Sequence, residues 1–377
     1  MPRPRARHTP SAPRSASPPS WRIAAGVGST ASPSGRPAIS VSPTPRAAHL
    51  SVGRGGTTGT LGAGAVVNNG ILQISRSDAS FTLSNDISGT GALTKSNAGT
   101  STTLILTGTN SYAGTTTITE GTIQVGNGGT TGTLGTGGVI TSGGTLALNR
   151  SDDITLTNTI SGTGALRKIA AGTATLTDTN SYSGITTISA GVLQVGDGGT
   201  AGTLGTGAVT NNAILQVNRS DAITLANVIS GSGVLIQSGA GTTTLTGTNT
   251  YIGGTTISSG TLQAGNGGTT GTLGTGAVTN NSVLTFNRSN AFTVANVISG
   301  SGTLTQAGTG TTSLSANNTY AGTTTISAGT LSIGAGGTTG TLGIGAVINN
   351  GILQINRSNA ITVANDISGT GALTKTS

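Results

Sequence analysis

The sequence contains no cysteine and few of the residue types on which catalytic sites depend. Without thiols, disulfides and thiolate metal sites are excluded, which is compatible with any compartment. The two histidines, His8 and His49, precede residue 55, so the rest of the chain has no imidazole for acid–base catalysis or zinc binding. No nucleophile elbow or phosphate-binding loop occurs. We therefore predict no catalytic, cofactor-binding or metal-binding residues and no cofactor.

Proline and excess positive charge are confined to the N-terminal part of the chain. All ten prolines lie between Pro2 and Pro45, and residues 1–54 hold eight of the 17 Lys and Arg residues and no Asp or Glu. Residues 55–377 hold nine basic and nine acidic residues, so the net charge of +8 belongs to the part of the chain before residue 55. The repeated part therefore shows no charge pattern for binding nucleic acid.

Residues 1–54 are rich in Arg, Pro and Ser, and we predict a disordered basic leader. A transit peptide and a basic arm for polyanions are the functional alternatives. The apolar stretch Trp21–Gly28 is shorter than a secretory signal needs and contains Arg22. We expect a leader without function, or a chain that is a fragment or an incomplete gene product.

Residues 55–377 consist of one unit that repeats about four and a half times. An Arg-Ser-Asp/Asn landmark recurs with steps of 74, 69, 69 and 69 in residue number, and its arginines are Arg76, Arg150, Arg219, Arg288 and Arg357. Three further landmarks divide the unit into thirds: Ile-Ser-Gly at Ile160, Ile229, Ile298 and Ile367, Asn-x-Tyr at Tyr182, Tyr251 and Tyr320, and Thr-Leu-Gly at Leu204, Leu273 and Leu342. Such self-similarity is typical of stacked repeat architectures.

Each third reads as short strands joined by tight turns. Segments such as Leu193-Gln-Val195 alternate apolar and polar residues, Thr suits a solvated strand face, and Gly and Asn supply turns. A circuit of 22–25 residues predicts one coil of a parallel β-helix, with about three coils per unit and about 14 coils in all. The alternative, an array of β-sandwiches or barrels, is disfavoured by the threefold sub-period and by the scarcity of aromatic anchors.

The landmarks resemble the autotransporter-associated β-strand repeat of bacterial surface proteins. The matching stretches are Gly302–Gly308 through Asn318–Ile333, with equivalents at Gly91–Val125, Gly164–Val195 and Gly233–Ala264. The resemblance implies an all-β, right-handed parallel β-helix that forms the passenger of an autotransporter. It also implies a translocator β-barrel in the full-length protein, which this sequence lacks, and a location at the cell surface or outside the cell.

Several recurring polar residues are candidates for function. The Arg76/150/219/288/357 column is the best binding candidate, for a polyanionic glycan. Its simpler interpretation is an exposed turn with a local Arg–Asp pair. The turn position held by Asp78, Asp152 and Asp221 is Asn290 and Asn359 in later units, which suits turn chemistry better than a catalytic acid.

Weaker candidates are ordinary features of such repeats. They comprise calcium binding by Gly-rich loops such as 126–132, glycosylation at Asn149, Asn218, Asn287 and Asn356, and a flat hydroxyl face formed by the threonine runs 115–117, 242–244 and 323–325.

The sequence therefore predicts a non-enzymatic surface stalk or adhesin whose ligand lies on a host surface, matrix or glycan. The alternative is a carbohydrate-active β-helix, a polysaccharide hydrolase or lyase. That enzyme would need two or more of Asp152, Asp153, Asp178, Asp197 and Asp221 to converge within about 10 Å.

Overall fold

The computed structural model describes residues 29–31, 37–41, 48–96 and 102–376. Within these ranges the chain forms 39 short strands and no helix. The strands up to residue 125 are β1 (Ser29–Ala31), β2 (Pro37–Val41), β3 (His49–Val52), β4 (Val66–Asn68), β5 (Ile71–Ile74), β6 (Ser80–Leu83), β7 (Ile87–Ser88), β8 (Ala92–Lys95), β9 (Thr103–Leu106), β10 (Thr116–Ile118) and β11 (Thr122–Val125).

The strands from residue 139 to 264 are β12 (Val139–Thr141), β13 (Thr145–Leu148), β14 (Ile154–Leu156), β15 (Ile160–Gly162), β16 (Ala165–Lys168), β17 (Thr173–Leu176), β18 (Thr186–Ile188), β19 (Val192–Val195), β20 (Val209–Asn211), β21 (Ile214–Val217), β22 (Ile223–Leu225), β23 (Ile229–Ser230), β24 (Val234–Gln237), β25 (Thr242–Leu245), β26 (Thr255–Ile257) and β27 (Thr261–Ala264).

The remaining strands are β28 (Val278–Asn280), β29 (Val283–Phe286), β30 (Phe292–Val294), β31 (Ile298–Ser299), β32 (Thr303–Gln306), β33 (Thr311–Leu314), β34 (Thr324–Ile326), β35 (Thr330–Ile333), β36 (Val347–Asn349), β37 (Ile352–Ile355), β38 (Ile367–Ser368) and β39 (Ala372–Lys375).

The strands stack in parallel as a β-solenoid of about 16 turns, which confirms the predicted fold class. Each strand pairs with the strand one turn away: Thr103 pairs with Thr122, and Thr122 pairs with Thr145. At about 4.8 Å per turn, the stack is about 75 Å long. The count exceeds the expected 14 because the stack begins before residue 55 and because some turns, such as that from Thr103 to Thr122, are shorter than the expected circuit.

Six sheets follow one another along the solenoid. A new sheet begins once per unit at the strand after the Arg landmark, which is β6, β14, β22 or β30. Five sheets end at an Ile-Ser strand, which is β7, β15, β23, β31 or β38. The same sheet therefore carries strands from different thirds of the unit, one above another.

The core is a continuous column of aliphatic side chains. Strand after strand alternates between half-buried and buried positions, so one side chain in two points inward. Equivalent leucines stack in register, as where Leu193 pairs with Leu215 and Leu215 with Leu235. All three are fully buried. Each contributes about 1.5–3 kcal/mol of burial free energy only because neighbouring turns cover it.

The stack extends to the N-terminal side of the predicted boundary at residue 55. Strand β3 pairs in parallel with β5, and β2 pairs in parallel with β4. Strand β1 instead pairs antiparallel with β2, at the edge of the first sheet. The predicted disorder of residues 1–54 falls mainly on residues outside the described ranges and stays a prediction there.

Candidate functional site

The tyrosines of the Asn-x-Tyr landmark lie inside the solenoid. Tyr112, Tyr182, Tyr251 and Tyr320 are fully buried, whereas the sequence pattern identifies this landmark only as a marker of the repeat. Each hydroxyl shares a hydrogen bond with the threonine four residues later; the Tyr251–Thr255 distance is 2.7 Å. Burial raises the pKa of each phenol, so the rings stay neutral. The landmark is thus a core motif with an internal hydrogen bond.

The asparagine of the same landmark ties neighbouring turns together. The Asn249 side-chain amide donates to the carbonyl of Thr272, and its side-chain oxygen accepts from the backbone N–H of Ile229. The first partner lies one turn above and the second one turn below. Asn180 and Asn318 make the same two contacts. A second set, including Asn227 and Asn296, donates to two glycine carbonyls of the adjacent turn.

The landmark arginines hold the Gly-rich loops closed. Arg219 donates from Nη1 to the carbonyl of Gly202 at 2.6 Å and from Nη2 to the carbonyl of Thr200. These carbonyls belong to loop 196–202, whose Gly196, Gly198 and Gly202 have φ values of 78–99°. The same contacts recur between Arg288 and loop 265–271 and between Arg357 and loop 334–340. The guanidinium therefore replaces backbone donors that the loop lacks.

The predicted local Arg–Asp pair is present, but the arginine is not exposed. Arg219, Arg288 and Arg357 expose only 8–9% of their surface. Asp78, Asp152 and Asp221 form salt bridges of 2.6–2.7 Å with their arginines. In the fourth and fifth units the arginine Nε donates instead to Asn290 and Asn359. The fold therefore does not present these arginines as a row of free guanidiniums that could bind a polyanion.

The carboxyl groups considered for catalysis are each occupied by separate contacts. The arginine hydrogen bond lowers the pKa of Asp78, Asp152 and Asp221. Asp178 accepts from Thr159 and from the Thr179 N–H, which lower its pKa. Asp153 accepts from the Thr173 N–H and Asp197 from the Gly199 N–H. Each of these acids is thus used to fix a turn.

Two lysines lie in the apolar core, at positions where the sequence pattern does not predict a buried charge. Lys95 and Lys168 expose 1–2% of their surface, and burial lowers the pKa of both. The Lys95 amine donates to the Thr102 hydroxyl at 2.8 Å, and the Lys168 amine donates to the carbonyl of Ala170. Gln237 and Gln306 occupy the same position in later units and donate to glycine carbonyls. The sequence signal for this feature is a polar residue, either Lys or Gln, that recurs at an inward position of the strand.

The threonine runs do not form a flat hydroxyl face as runs of three. Thr116, Thr243 and Thr324, the middle residues, point into the core and are buried, and their neighbours are half-buried. The Asn-Arg-Ser asparagines Asn149, Asn218, Asn287 and Asn356 lie at the base of the Gly-rich loops, where their carbonyls accept from loop glycines. Among the described residues no group of three or more His, Cys, Asp or Glu is placed to hold a metal ion.

Two clefts open beneath the Thr-Leu-Gly turn, at equivalent positions of two units. The cleft in the second unit has a volume of about 130 Å³ and is lined by Leu134, Leu148 and Ile154. The cleft in the fourth unit has a volume of about 250 Å³ and is lined by Leu273, Phe286 and Phe292. The sequence signal that marks the larger cleft is a pair of phenylalanines in a chain that has three.

The fold and these contacts define a class: a β-solenoid repeat protein whose recurring polar residues mostly hold the turns. No helix of the described ranges is of the length and apolarity required to span a membrane. Four segments match the family model of the passenger-associated-transport-repeat, at residues 93–125, 166–195, 235–264 and 304–333. These four repeats therefore match the repeat of autotransporter passengers, a type that implies exposure at the cell surface.

A curated relative carries the same kind of sequence. The adhesin BmaC autotransporter of Brucella suis biovar 1 (strain 1330) is 34% identical over an alignment of 171 residues, and the match covers 40% of this chain. The chain spans 5% of the length of that relative. No solved structure matches the chain.

Proposed function

We propose that the chain is a non-enzymatic stalk or adhesin segment, which carries contact surfaces away from the cell. The observation that carries this proposal is the use of recurring polar side chains within the fold. Arg219 closes a loop, Asn249 joins three turns and Tyr251 bonds inside the core. The result is a rod of about 75 Å that repeats its outer surface with every unit.

The state of the carboxyl groups supports this function over a polysaccharide hydrolase. A glycosidase needs a general acid whose pKa is raised, commonly by an apolar environment. Asp78, Asp152, Asp178 and Asp221 have lowered pKa values because they accept hydrogen bonds. A polysaccharide panel incubated with the protein should yield no new reducing ends and no unsaturated uronate products. Release of either product would overturn the non-enzymatic assignment.

The name of the relative favours the adhesive form of this proposal. BmaC is described as an adhesin, and the chain resembles a stretch within it. We propose that this chain also contributes to contact with a host surface, matrix or glycan, in a full-length protein that includes a translocator.

Removal of one unit tests the stalk. Deleting residues 205–273 joins Leu204 to Gly274, which are adjacent positions of the repeat, so the register is preserved. Three turns are lost, and small-angle scattering should show a rod shorter by about 14 Å. Adhesion of beads coated with the variant to host cells should be largely retained. A compact particle, or an unchanged length, would contradict the proposal.

A further inference from the structure

The phenylalanines of this chain are concentrated beside the Arg landmark. The sequence has three, and two of them, Phe286 and Phe292, flank Arg288 in the fourth unit. Their rings meet edge to face with centroids 5.7 Å apart, and the Arg288 guanidinium lies 4.5 Å from the Phe292 centroid. Phe286 is fully buried, whereas Phe292 is half-buried and lines the cleft.

This phenylalanine pair accompanies a larger cleft. At the equivalent positions the second unit has Leu148 and Ile154, and its cleft measures about 130 Å³ against about 250 Å³ in the fourth unit. One wall is apolar, from Phe292, Leu273 and Val294, and the rim carries exposed threonines at 248, 275 and 293.

The charge around this cleft differs from that of the second unit. Arg150 is paired with the carboxylate of Asp152, whereas Arg288 is paired with the neutral amide of Asn290. The sequence has no Asp or Glu between Asp221 and Asp366. The Arg288 guanidinium contacts Phe292 without lining the cleft, and in the described part of the chain it is not paired with a carboxylate. Its buried positive charge therefore attracts an anionic ligand in the cleft through the Coulomb interaction, without a direct hydrogen bond.

We propose that the fourth-unit cleft binds one carboxylate-bearing pyranose ring of an acidic glycan. The ring packs its apolar face on Phe292, its hydroxyls bond to the rim threonines, and its carboxylate is drawn by the charge of Arg288. This inference rests on the adhesin function and names its ligand class and site.

The first experiment measures binding of a tetrasaccharide of galacturonic acid to the full chain by titration calorimetry, with the neutral galactose tetrasaccharide alongside. The acidic probe should bind and the neutral probe should bind at least about fivefold more weakly. Phe292→Ile installs the residue that Ile154 and Ile223 provide in other units, so folding should be preserved. It should weaken binding at least about tenfold, whereas the matched control Ile223→Val should not.

The second experiment tests the charge. Asn290→Asp introduces the carboxylate that Asp152 and Asp221 provide in their units. It should lower the affinity for the acidic tetrasaccharide by about fivefold to tenfold. Asn359→Asp makes the same change one unit away and should leave binding unchanged. Equal binding of both tetrasaccharides, no binding of either, or insensitivity to Phe292→Ile would each overturn the site. If the unmutated chain binds neither tetrasaccharide while its beads still adhere to host cells, the adhesin proposal stands and this one is removed.

Discussion

The tyrosines show how a single residue serves both packing and hydrogen bonding. Tyr251 buries a whole ring among aliphatic side chains, yet its hydroxyl and that of Thr255 satisfy each other at 2.7 Å. A buried polar group without a partner costs roughly 1–3 kcal/mol, so removing one hydroxyl of the pair destabilises the protein through the other.

A double-mutant cycle measures this coupling. Tyr251→Phe leaves the Thr255 hydroxyl alone in the core and should lower the free energy of unfolding by about 1–2 kcal/mol. Tyr251→Phe combined with Thr255→Val removes both polar groups and should be closer to the wild type than the single change. Urea unfolding followed by circular dichroism gives the four values. Strict additivity would contradict the pairing.

Lys168 is a buried amine at a position where the next two units have Gln237 and Gln306. Because burial lowers its pKa, its charged form is disfavoured in the folded state, so its contribution to stability improves as pH rises towards the unfolded pKa. Lys168→Gln should therefore stabilise the protein at pH 7, by on the order of 1 kcal/mol, and the gain should shrink as the pH rises through the lowered folded pKa towards the unfolded value of 10.5. Thermal unfolding at pH 7 and pH 10.5 checks this, and Gln237→Lys should have the opposite sign at pH 7. If Lys168→Gln instead destabilised the protein at pH 7, the buried amine would contribute favourably to stability and the prediction would be wrong.

At the scale of the turn, glycine allows one coil to approach the next. Gly231 has a φ of 104°, and a Cβ there would lie 2.2 Å from the carbonyl oxygen of Asn211 in the adjacent coil. Gly337, at the tip of a Gly-rich loop, has open space around it and no positive φ. The two glycines therefore have different roles despite the similar composition of their segments.

The pair Gly231→Ala and Gly337→Ala separates these roles. Gly231→Ala should destabilise the fold by about 2 kcal/mol or more, since both backbone strain and a steric clash oppose it. Gly337→Ala should change stability by no more than about 0.5 kcal/mol. Chemical denaturation of both variants provides the comparison. Equal effects would mean that the coils are not in close register at Gly231.

At the scale of the whole molecule, acid sensitivity should be unequal along the rod. The Asp partners of the arginines occur in the first three units, and the fourth and fifth units have Asn290 and Asn359. Because the arginine hydrogen bond lowers the pKa of Asp78, Asp152 and Asp221, the stability that these pairs contribute is present above the unfolded value of 3.8. It is lost as the pH falls through the lower folded value.

Hydrogen exchange at pH 5 and pH 2.5 tests this asymmetry. After correction for the intrinsic pH dependence of exchange, loops 126–132 and 196–202 should lose more protection on acidification than loops 265–271 and 334–340. The Asp221→Asn variant should remove the difference for loop 196–202. A uniform response along the rod would contradict the prediction.

The sequence alone was enough to predict the solenoid because its information is periodic. The constant step between landmarks, the absence of proline after Pro45 and the alternation in segments such as Leu193-Gln-Val195 all depend on local backbone geometry. It also indicated the Arg–Asp pair, since residues two apart at one turn can meet without any distant contact.

The tertiary structure decided what lies one turn above or below each residue. Tyr251 and Lys168 are buried because neighbouring turns cover them. Arg219 donates hydrogen bonds to the carbonyls of Thr200 and Gly202, and the cleft lies between Leu273 and Phe292. All of these contacts are between positions separated in sequence by as much as one full turn. Which residues stack depends on the length of every intervening loop, and turns of unequal length shift that register. The periodicity of the sequence therefore determined the architecture. The summed loop lengths determined which residues stack on one another, because the surroundings of a side chain depend on the register between turns and not on the local sequence alone.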